Sequence, residues 1–123
     1  MLSKNKISIA LATFNGAEFI EAQLNSFIDQ VLQPDEVVIS DDMSSDNTVE
    51  LIESFSKIAP FEIILLKNKK NLGYSQNFNN ALIHTTGDII FLSDQDDVWF
   101  PNKISHMFEV INNKPNFMIY MND

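Results

Sequence analysis

The chain has 123 residues, 45% of them hydrophobic, and its formal net charge is −9. This size suits a single domain over residues 1–123, and the charge excludes a nucleic-acid binder, because phosphate contacts need lysine or arginine. There is no cysteine, which excludes disulfides, thiolate metal sites and a cysteine nucleophile. No apolar stretch approaches the ~20 residues that span a bilayer. We therefore expect a cytoplasmic protein without a transmembrane segment.

Short apolar runs alternate with helical patterns along the chain. The runs are brief, apolar on both faces and rich in β-branched residues, as in buried parallel strands. Apolar residues at helical spacing lie between successive runs. This alternation predicts an α/β fold with a mostly parallel, Rossmann-like sheet and helices on both faces. In chain order, the strands are predicted at 7–12, 36–40, 61–66, 88–92 and 117–121.

Each predicted helix has its own start signal. Asn15, with Glu18 three residues later, predicts a capping-box-like start for the first helix. Asp46 or a neighbouring serine is expected to cap the second helix, and Ser75 the third. Pro101 suits the first turn of the fourth helix.

Polar clusters follow three of the predicted strands. The sequence reads "TFN" after the first strand, "SDD" after the second and "SDQDD" after the fourth. Ligands of open α/β sheets bind outside the carboxyl ends of the strands. The sequence therefore predicts that these clusters form one ligand site.

Asp94 and Asp96 are candidates for a metal site. Residues two apart in an extended segment point to the same side, and two carboxylates repel unless a cation lies between them. Hard oxygen ligands suit Mg²⁺, Mn²⁺ or Ca²⁺. The alternative is a solvated acidic loop in which Asp97 caps the next helix.

The other polar positions also have two interpretations. Asp41 and Asp42 either cap a helix or accept hydrogen bonds from a nucleobase N–H or a ribose hydroxyl. Thr13 either contacts a ligand or helps to cap the first helix. Asn71 and Gly73 are typical of a turn.

Four motifs, taken in order, give the chain a family resemblance. It resembles the nucleotide-sugar-binding half of a family 2 glycosyltransferase of GT-A fold, in the rhamnosyltransferase-like branch. The resemblance implies that the fold is truncated after its D-x-D segment and that the acceptor-binding half is absent from this chain. The motifs are "ISIALATFNGAEFIEAQLNSF", "VVISDDMSSDNT", "NLGYSQNFNNAL" and "TGDIIFLSDQDDVWFPNKI".

The resemblance also implies a donor site for a UDP- or dTDP-sugar. Its D-x-D motif corresponds to Asp94, Gln95 and Asp96, and Mn²⁺ or Mg²⁺ would be held by Asp94 and Asp96. The implied nucleotide-sugar-binding residues are Thr13, Asn15, Glu18, Asp41, Asp42, Asn71, Gly73, Asn79, Asp94, Gln95 and Asp96.

The implied reaction is an inverting transfer of the sugar to a hydroxyl of a saccharide or lipid-linked acceptor, in bacterial cell-surface polysaccharide synthesis. Its catalytic base is expected outside this chain, because only a short segment follows the D-x-D motif. The protein would be cytoplasmic or peripheral at the inner face of the membrane. An apolar face left exposed by the absent half would favour self-association.

Three other functions compete with this interpretation. A receiver-type signalling domain has a similar length and strand pattern, but it needs an acidic pair after its first strand. A dinucleotide-dependent oxidoreductase needs G-x-G-x-x-G, and this chain has only three glycines. A non-catalytic module that binds a nucleotide or a protein stays open, since a fold does not determine a function.

Overall fold

The computed structural model describes residues 5–94, 97–113 and 119–120. Their strands form one parallel sheet in the order β3-β2-β1-β4-β5, which confirms the predicted α/β class. Within these residues, no helix is both long and apolar enough to cross a bilayer. The elements are β1 Ile7–Thr13, α1 Ile20–Ile28, β2 Glu36–Asp41, α2 Thr48–Ser56, β3 Glu62–Lys67, α3 Tyr74–Ile83, β4 Ile89–Ser93, α4 Lys103–Asn113 and β5 Ile119–Tyr120.

Helices cover both faces of the sheet, as predicted. β1 is buried along its whole length, and its successive side chains point to opposite faces. One face packs against α1, α2 and α4 through a core that includes Leu11, Phe27 and Ile104. The other face packs against α3, where Ala10 and Ala81 belong to a smaller cluster.

The predicted starts of α1 and α3 are wrong. α1 begins at Ile20, well after Asn15, because the amides of Phe19 and Ile20 first close a turn onto the carbonyl of Gly16. α3 begins before Ser75: its first hydrogen bond runs from the amide of Asn77 to the carbonyl of Gly73. Gly73 therefore takes the N-cap position, with a φ of 85° that favours glycine.

The other two helix starts have separate outcomes. The N-cap of α2 is Asn47, so the predicted cap at Asp46 or a serine is wrong, although Asp46 accepts a 3.0 Å hydrogen bond from the amide of Thr48, the first residue of α2. α4 begins at Lys103, two residues after Pro101. Asp97 lies well before that start, so the alternative in which it caps the next helix is wrong.

The sheet order places a crevice beside the predicted clusters. β1 pairs with β2 on one side and β4 on the other, so the chain order reverses at β1. Ligands of open α/β sheets bind at such a switch point. Thr13 is opposite Asp41 in the register, and Ser93 is opposite Leu11. The order also differs from the 2-1-3-4-5 order of receiver-type domains, which removes that alternative.

Candidate functional site

A cavity of about 480 Å³ lies at the carboxyl edge of the sheet. It lies where β1 and β2 end and where the segment before α3 begins. Four residues predicted for the site line it together, which are Thr13, Asp42, Asn71 and Gly73. Its other lining residues are Ala12, Phe14, Tyr74 and Asn77.

Asp42 organises one wall of this cavity. Its Oδ1 accepts hydrogen bonds from the amide of Leu72 (2.6 Å) and from Asn68 Nδ2 (3.1 Å), and its Oδ2 accepts one from the amide of Gly73 (3.0 Å). Asn71 Nδ2 donates to the main-chain oxygen of Asp42 at 2.7 Å. A carboxylate has about four acceptor positions. The side chain of Asn71 also bonds to this carboxylate, which lines the cavity.

The hydrogen bonds also set the charge of Asp42. Burial alone would raise the pKa of this carboxyl group, but the bonds from the Leu72 amide, Asn68 and the Gly73 amide outweigh it. The pKa of Asp42 is therefore below its ordinary value of 3.8. A buried negative charge persists on the cavity wall at neutral pH.

Asp41 has a different environment. Its Oδ1 accepts from Thr13 Oγ1 at 2.7 Å and from Ser44 Oγ at 2.6 Å, and its Oδ2 accepts from the amide of Ser44 at 3.0 Å. Asp41 does not line the cavity, as far as the described residues define it. Its contacts fix the ends of β1 and β2 against each other. Of the acidic pair, only Asp42 faces the cavity.

Asn15 and Glu18 lie outside the cavity wall. Asn15 has a φ of 50°, and its Oδ1 accepts a 2.7 Å hydrogen bond from the amide of Ser45. It ties the segment after β1 to the segment after β2. Glu18 is exposed in the turn that precedes α1.

Asp94 lies beside a second cavity. This cavity has about 360 Å³ and is lined by Tyr74, Ser75, Phe78, Asn79, Leu82, Leu92 and Asp94. Asn79, one of the implied nucleotide-sugar-binding residues, therefore lies with Asp94 rather than with Asp42. Tyr74 lines both cavities, so they adjoin at this side chain.

Tyr74 joins the two halves of the site. Its hydroxyl donates a short hydrogen bond to Asp94 Oδ1. This bond, together with burial and the charges of Asp94 and Asp97, raises the pKa of Tyr74 to about 12. Tyr74 therefore remains a protonated donor to the carboxylate at neutral pH.

The donor set suits a hard divalent cation. Asp94 is an exposed carboxylate at the carboxyl end of β4, and carboxylate oxygens are the ligands that Mg²⁺ and Mn²⁺ take. Its predicted partners Gln95 and Asp96 lie outside the described residues. Among the residues that are described, no three histidine, cysteine or acidic side chains converge on one point.

Two asparagines of the site were not predicted. Asn77 is buried on α3 and donates from Nδ2 to the carbonyl of Thr13 at 3.2 Å. Its Oδ1 accepts from Asn68 Nδ2 at 2.8 Å. The available signal was spacing, because Asn77 lies one helical turn before the inward-facing Ala81.

A family model connects this geometry to known proteins. The model described as "Glycosyl transferase family 2" matches residues 8–122. The chain is 37% identical over 105 residues to the dTDP-rhamnosyl transferase RfbG of Shigella flexneri, covering 82% of this chain and 36% of RfbG. It is 33% identical over 116 residues to the Escherichia coli glucosyltransferase WfaP, covering 94% of this chain and 45% of WfaP. The chain thus spans less than half the length of either relative.

Solved structures show the same fold. S. aureus TarS in complex with UDP superposes with a TM-score of 0.79 at 26% identity, covering 88% of this chain and 32% of that one. The mannosyltransferase PcManGT of Pyrobaculum calidifontis, in complex with GDP-Man and Mn²⁺, gives 0.71 at 28% identity, with coverages of 79% and 29%. These neighbours are GT-A glycosyltransferases, so the predicted GT-A fold is confirmed.

Proposed function

Because this chain belongs to glycosyl transferase family 2, we propose that its cavity binds the nucleotide of a UDP- or dTDP-sugar and that Asp94 binds the metal of the diphosphate. One observation carries the proposal. The cavity beside Asp42 adjoins Asp94 through Tyr74, at the switch point of the sheet. The whole protein would be a metal-dependent, inverting glycosyltransferase.

The cavity suits a pyrimidine nucleoside. Asp42 offers a carboxylate acceptor for a base N–H or a ribose hydroxyl, and uridine and thymidine share the imide N–H that such an acceptor reads. Phe14 is 49% exposed and lines the same cavity. An aromatic ring in this position provides a face on which a base can stack. RfbG, by its name, acts on a dTDP-sugar, and TarS was crystallised with UDP.

The diphosphate would extend towards Asp94. Asp94 and Asp96 would hold Mn²⁺ or Mg²⁺, and the structure of PcManGT is a complex with GDP-Man and Mn²⁺. The cation would supply Lewis-acid stabilisation of the charge on the leaving nucleoside diphosphate. The chain has no arginine, so the divalent cation would supply charge that a bidentate arginine cannot supply here, and main-chain amides would donate hydrogen bonds to the phosphates.

The complete reaction needs groups beyond this site. An acceptor hydroxyl oxygen forms a bond to the anomeric carbon while the bond from that carbon to the diphosphate oxygen breaks, which inverts the centre. A general base takes the hydroxyl proton, and we place it, with the acceptor site, outside this chain. WfaP, by its name, uses a diphosphoundecaprenol-linked acceptor. A saccharide or lipid-linked acceptor in bacterial cell-surface polysaccharide synthesis, at the cytoplasmic face of the membrane, fits this proposal.

Calorimetric titration tests the donor site. The chain is titrated with UDP, dTDP and GDP, each with and without Mn²⁺, and the titrations are repeated with Asp94→Asn. We expect UDP or dTDP to bind more tightly than GDP, and Mn²⁺ to increase that affinity. Asp94→Asn should lose the increase and keep the metal-free affinity. Asp88→Asn, an exposed aspartate at the opposite edge of the sheet, is the matched control.

Two results would contradict the proposal. The first is a folded chain that binds none of the three nucleotides. The second is nucleotide binding that Mn²⁺ does not strengthen in the unsubstituted chain, or strengthens equally in Asp94→Asn.

A further inference from the structure

Two buried glutamines bind the described parts of the loop between β4 and α4, which are Asp94 and residues 97–102. Gln23 of α1 is fully buried, and its Nε2 donates to Ser93 Oγ at 3.1 Å and to the main-chain oxygen of Asp94 at 2.5 Å. A carbonyl oxygen only accepts hydrogen bonds, so the amide nitrogen must face Asp94. The amide of Asp97 donates to the same oxygen at 3.2 Å. Gln23 thus fixes the main chain where the loop begins.

Gln30 fixes the other end of this loop. Its Nε2 donates to the carbonyl of Phe100 at 2.7 Å, and its Oε1 accepts from the amide of Ile104 at 3.0 Å. Ile104 lies in the first turn of α4, where amides have no partner within the helix. Gln30 therefore caps α4 from another element. Beside it, the amide of Val31 donates to the carbonyl of Pro101 at 2.8 Å.

The indole of Trp99 packs between these two contacts. Its ring centroid lies 4.8 Å from that of Phe27 and 6.0 Å from that of Phe91, and Trp99 is 5% exposed. Phe27 lies four residues after Gln23 and three before Gln30, so all three contact residues share one face of α1 and its extension. This face contacts the start of the loop through Gln23. Through Gln30 it contacts the end of the loop and the first turn of α4.

We propose that Gln23 and Gln30 are positioning residues that hold the loop so that Asp94 presents its carboxylate to the divalent cation. The inference rests on the donor site proposed above. Both side chains are neutral donors. A lysine or arginine in the place of Gln23 would bring a positive charge beside Asp94, where it would compete with the cation. An amide fixes the main chain without that competition.

Three matched variants test this role. Gln23→Met and Gln30→Met keep an unbranched side chain of similar length and remove the hydrogen bonds to the loop. Gln33→Met is the control, because the side chain of Gln33 donates to the carbonyl of Ile28 at 2.6 Å, outside the loop. Each variant is titrated with UDP, with and without Mn²⁺. Acrylamide quenching of Trp99, the single tryptophan, reports the loop without any metal.

A positioning role should reduce the gain in UDP affinity from Mn²⁺ and leave the metal-free UDP affinity nearly unchanged. Replacing groups that orient a metal ligand typically costs 10–100-fold in metal affinity. We expect the gain in UDP affinity from Mn²⁺ to fall by about 10-fold in Gln23→Met, while the metal-free UDP affinity stays within about twofold. Gln23→Met and Gln30→Met should expose Trp99 to acrylamide, and Gln33→Met should change neither quantity. If Gln23→Met does not fold, Gln30→Met decides by the same criteria.

Results that contradict the positioning role can be distinguished from results that contradict the proposed function. An undiminished Mn²⁺ gain in Gln23→Met and Gln30→Met would overturn the inference, and so would an equal loss of UDP affinity with and without Mn²⁺, which indicates a general structural role. A failure of the proposed function appears earlier, in the unsubstituted chain. If that chain shows no Mn²⁺ gain, the donor site and the positioning role are both refuted.

Discussion

Asp42→Asn removes the charge on which one wall of the cavity depends. The asparagine oxygen can still accept from the Leu72 amide and Asn68, but its NH₂ group then faces the Gly73 amide, which is also a donor. Two charge-assisted bonds become neutral ones, which costs about 1 kcal/mol each, and the part-buried bond from the Gly73 amide is lost, which costs about 1–3 kcal/mol. The expected loss is therefore about 3–5 kcal/mol of unfolding free energy.

Urea denaturation at pH 7 measures this loss. For a domain of this size it corresponds to a fall in melting temperature of about 10 °C or more. Asp88→Asn is the control: Asp88 is exposed, and its Oδ2 accepts one bond, from the amide of Lys6. We expect that substitution to cost under about 1 kcal/mol.

The pH dependence gives a second test of Asp42. Its folded-state pKa is below its ordinary value of 3.8, so the unfolded state binds more protons in that range. The stability from its charge is then fully present well above pH 3.8 and is lost as the pH falls through the folded pKa. The gap between the unsubstituted chain and Asp42→Asn should narrow below pH 3.8. A loss under about 1 kcal/mol at pH 7, or a gap that does not narrow, would refute this reasoning.

Three further predictions concern single side chains. Phe14→Ala should weaken UDP binding by about 5- to 100-fold, since stacking of a base on an aromatic ring contributes about 1–3 kcal/mol, while Phe19→Ala, which does not line the cavity, should leave calorimetric affinity unchanged. In a Tyr120→Phe background, absorbance at ~295 nm should show Tyr74 titrating near pH 12, and Asp94→Asn should lower that pKa because its largest cause is the bond to Asp94. Glu36→Gln should cost about 1–3 kcal/mol in urea denaturation, because buried Glu36 accepts bonds from Ser8 and Thr86 at the opposite edge of the sheet, yet it should leave UDP affinity unchanged.

The strands could be predicted because burial on both faces selects apolar, β-branched runs. β2 was expected at 36–40 and is Glu36–Asp41, and β4 was expected at 88–92 and is Ile89–Ser93. The start of α1 could not be predicted, because capping rules consider only local partners. Asn15 Oδ1 instead bonds to Ser45, and the Gly16 amide bonds to Thr48 Oγ1 at 2.9 Å. Contacts with a segment about 30 residues further along the chain therefore determine the conformation between β1 and α1.

The site residues likewise divide into those that local sequence patterns predict and those that depend on contacts between distant segments. The rule that ligands lie at the carboxyl ends of strands predicted Thr13 and Asp42, and both line the cavity. It could not distinguish Asp41 from Asp42, because the choice depends on Ser44 and on the segment before α3. Asn68 and Asn77 were missed because their importance comes from contacts across the fold. Polar residues at strand ends thus indicate where a site lies. The sequence does not show which of them line the cavity and which hold the lining residues in place.

The location of the nucleotide is tested most directly by an NMR titration of the labelled chain with UDP and Mg²⁺. We expect the amide signals of Leu72 and Gly73, which bond to Asp42, to shift with those of Thr13 and the Asn77 side chain and to saturate with one dissociation constant. The amides of Thr86 and Gly87, at the opposite edge beside Glu36 and Ser8, should stay unchanged. Unchanged signals around Asp42 at saturating UDP, or shifts confined to the opposite edge, would contradict the account.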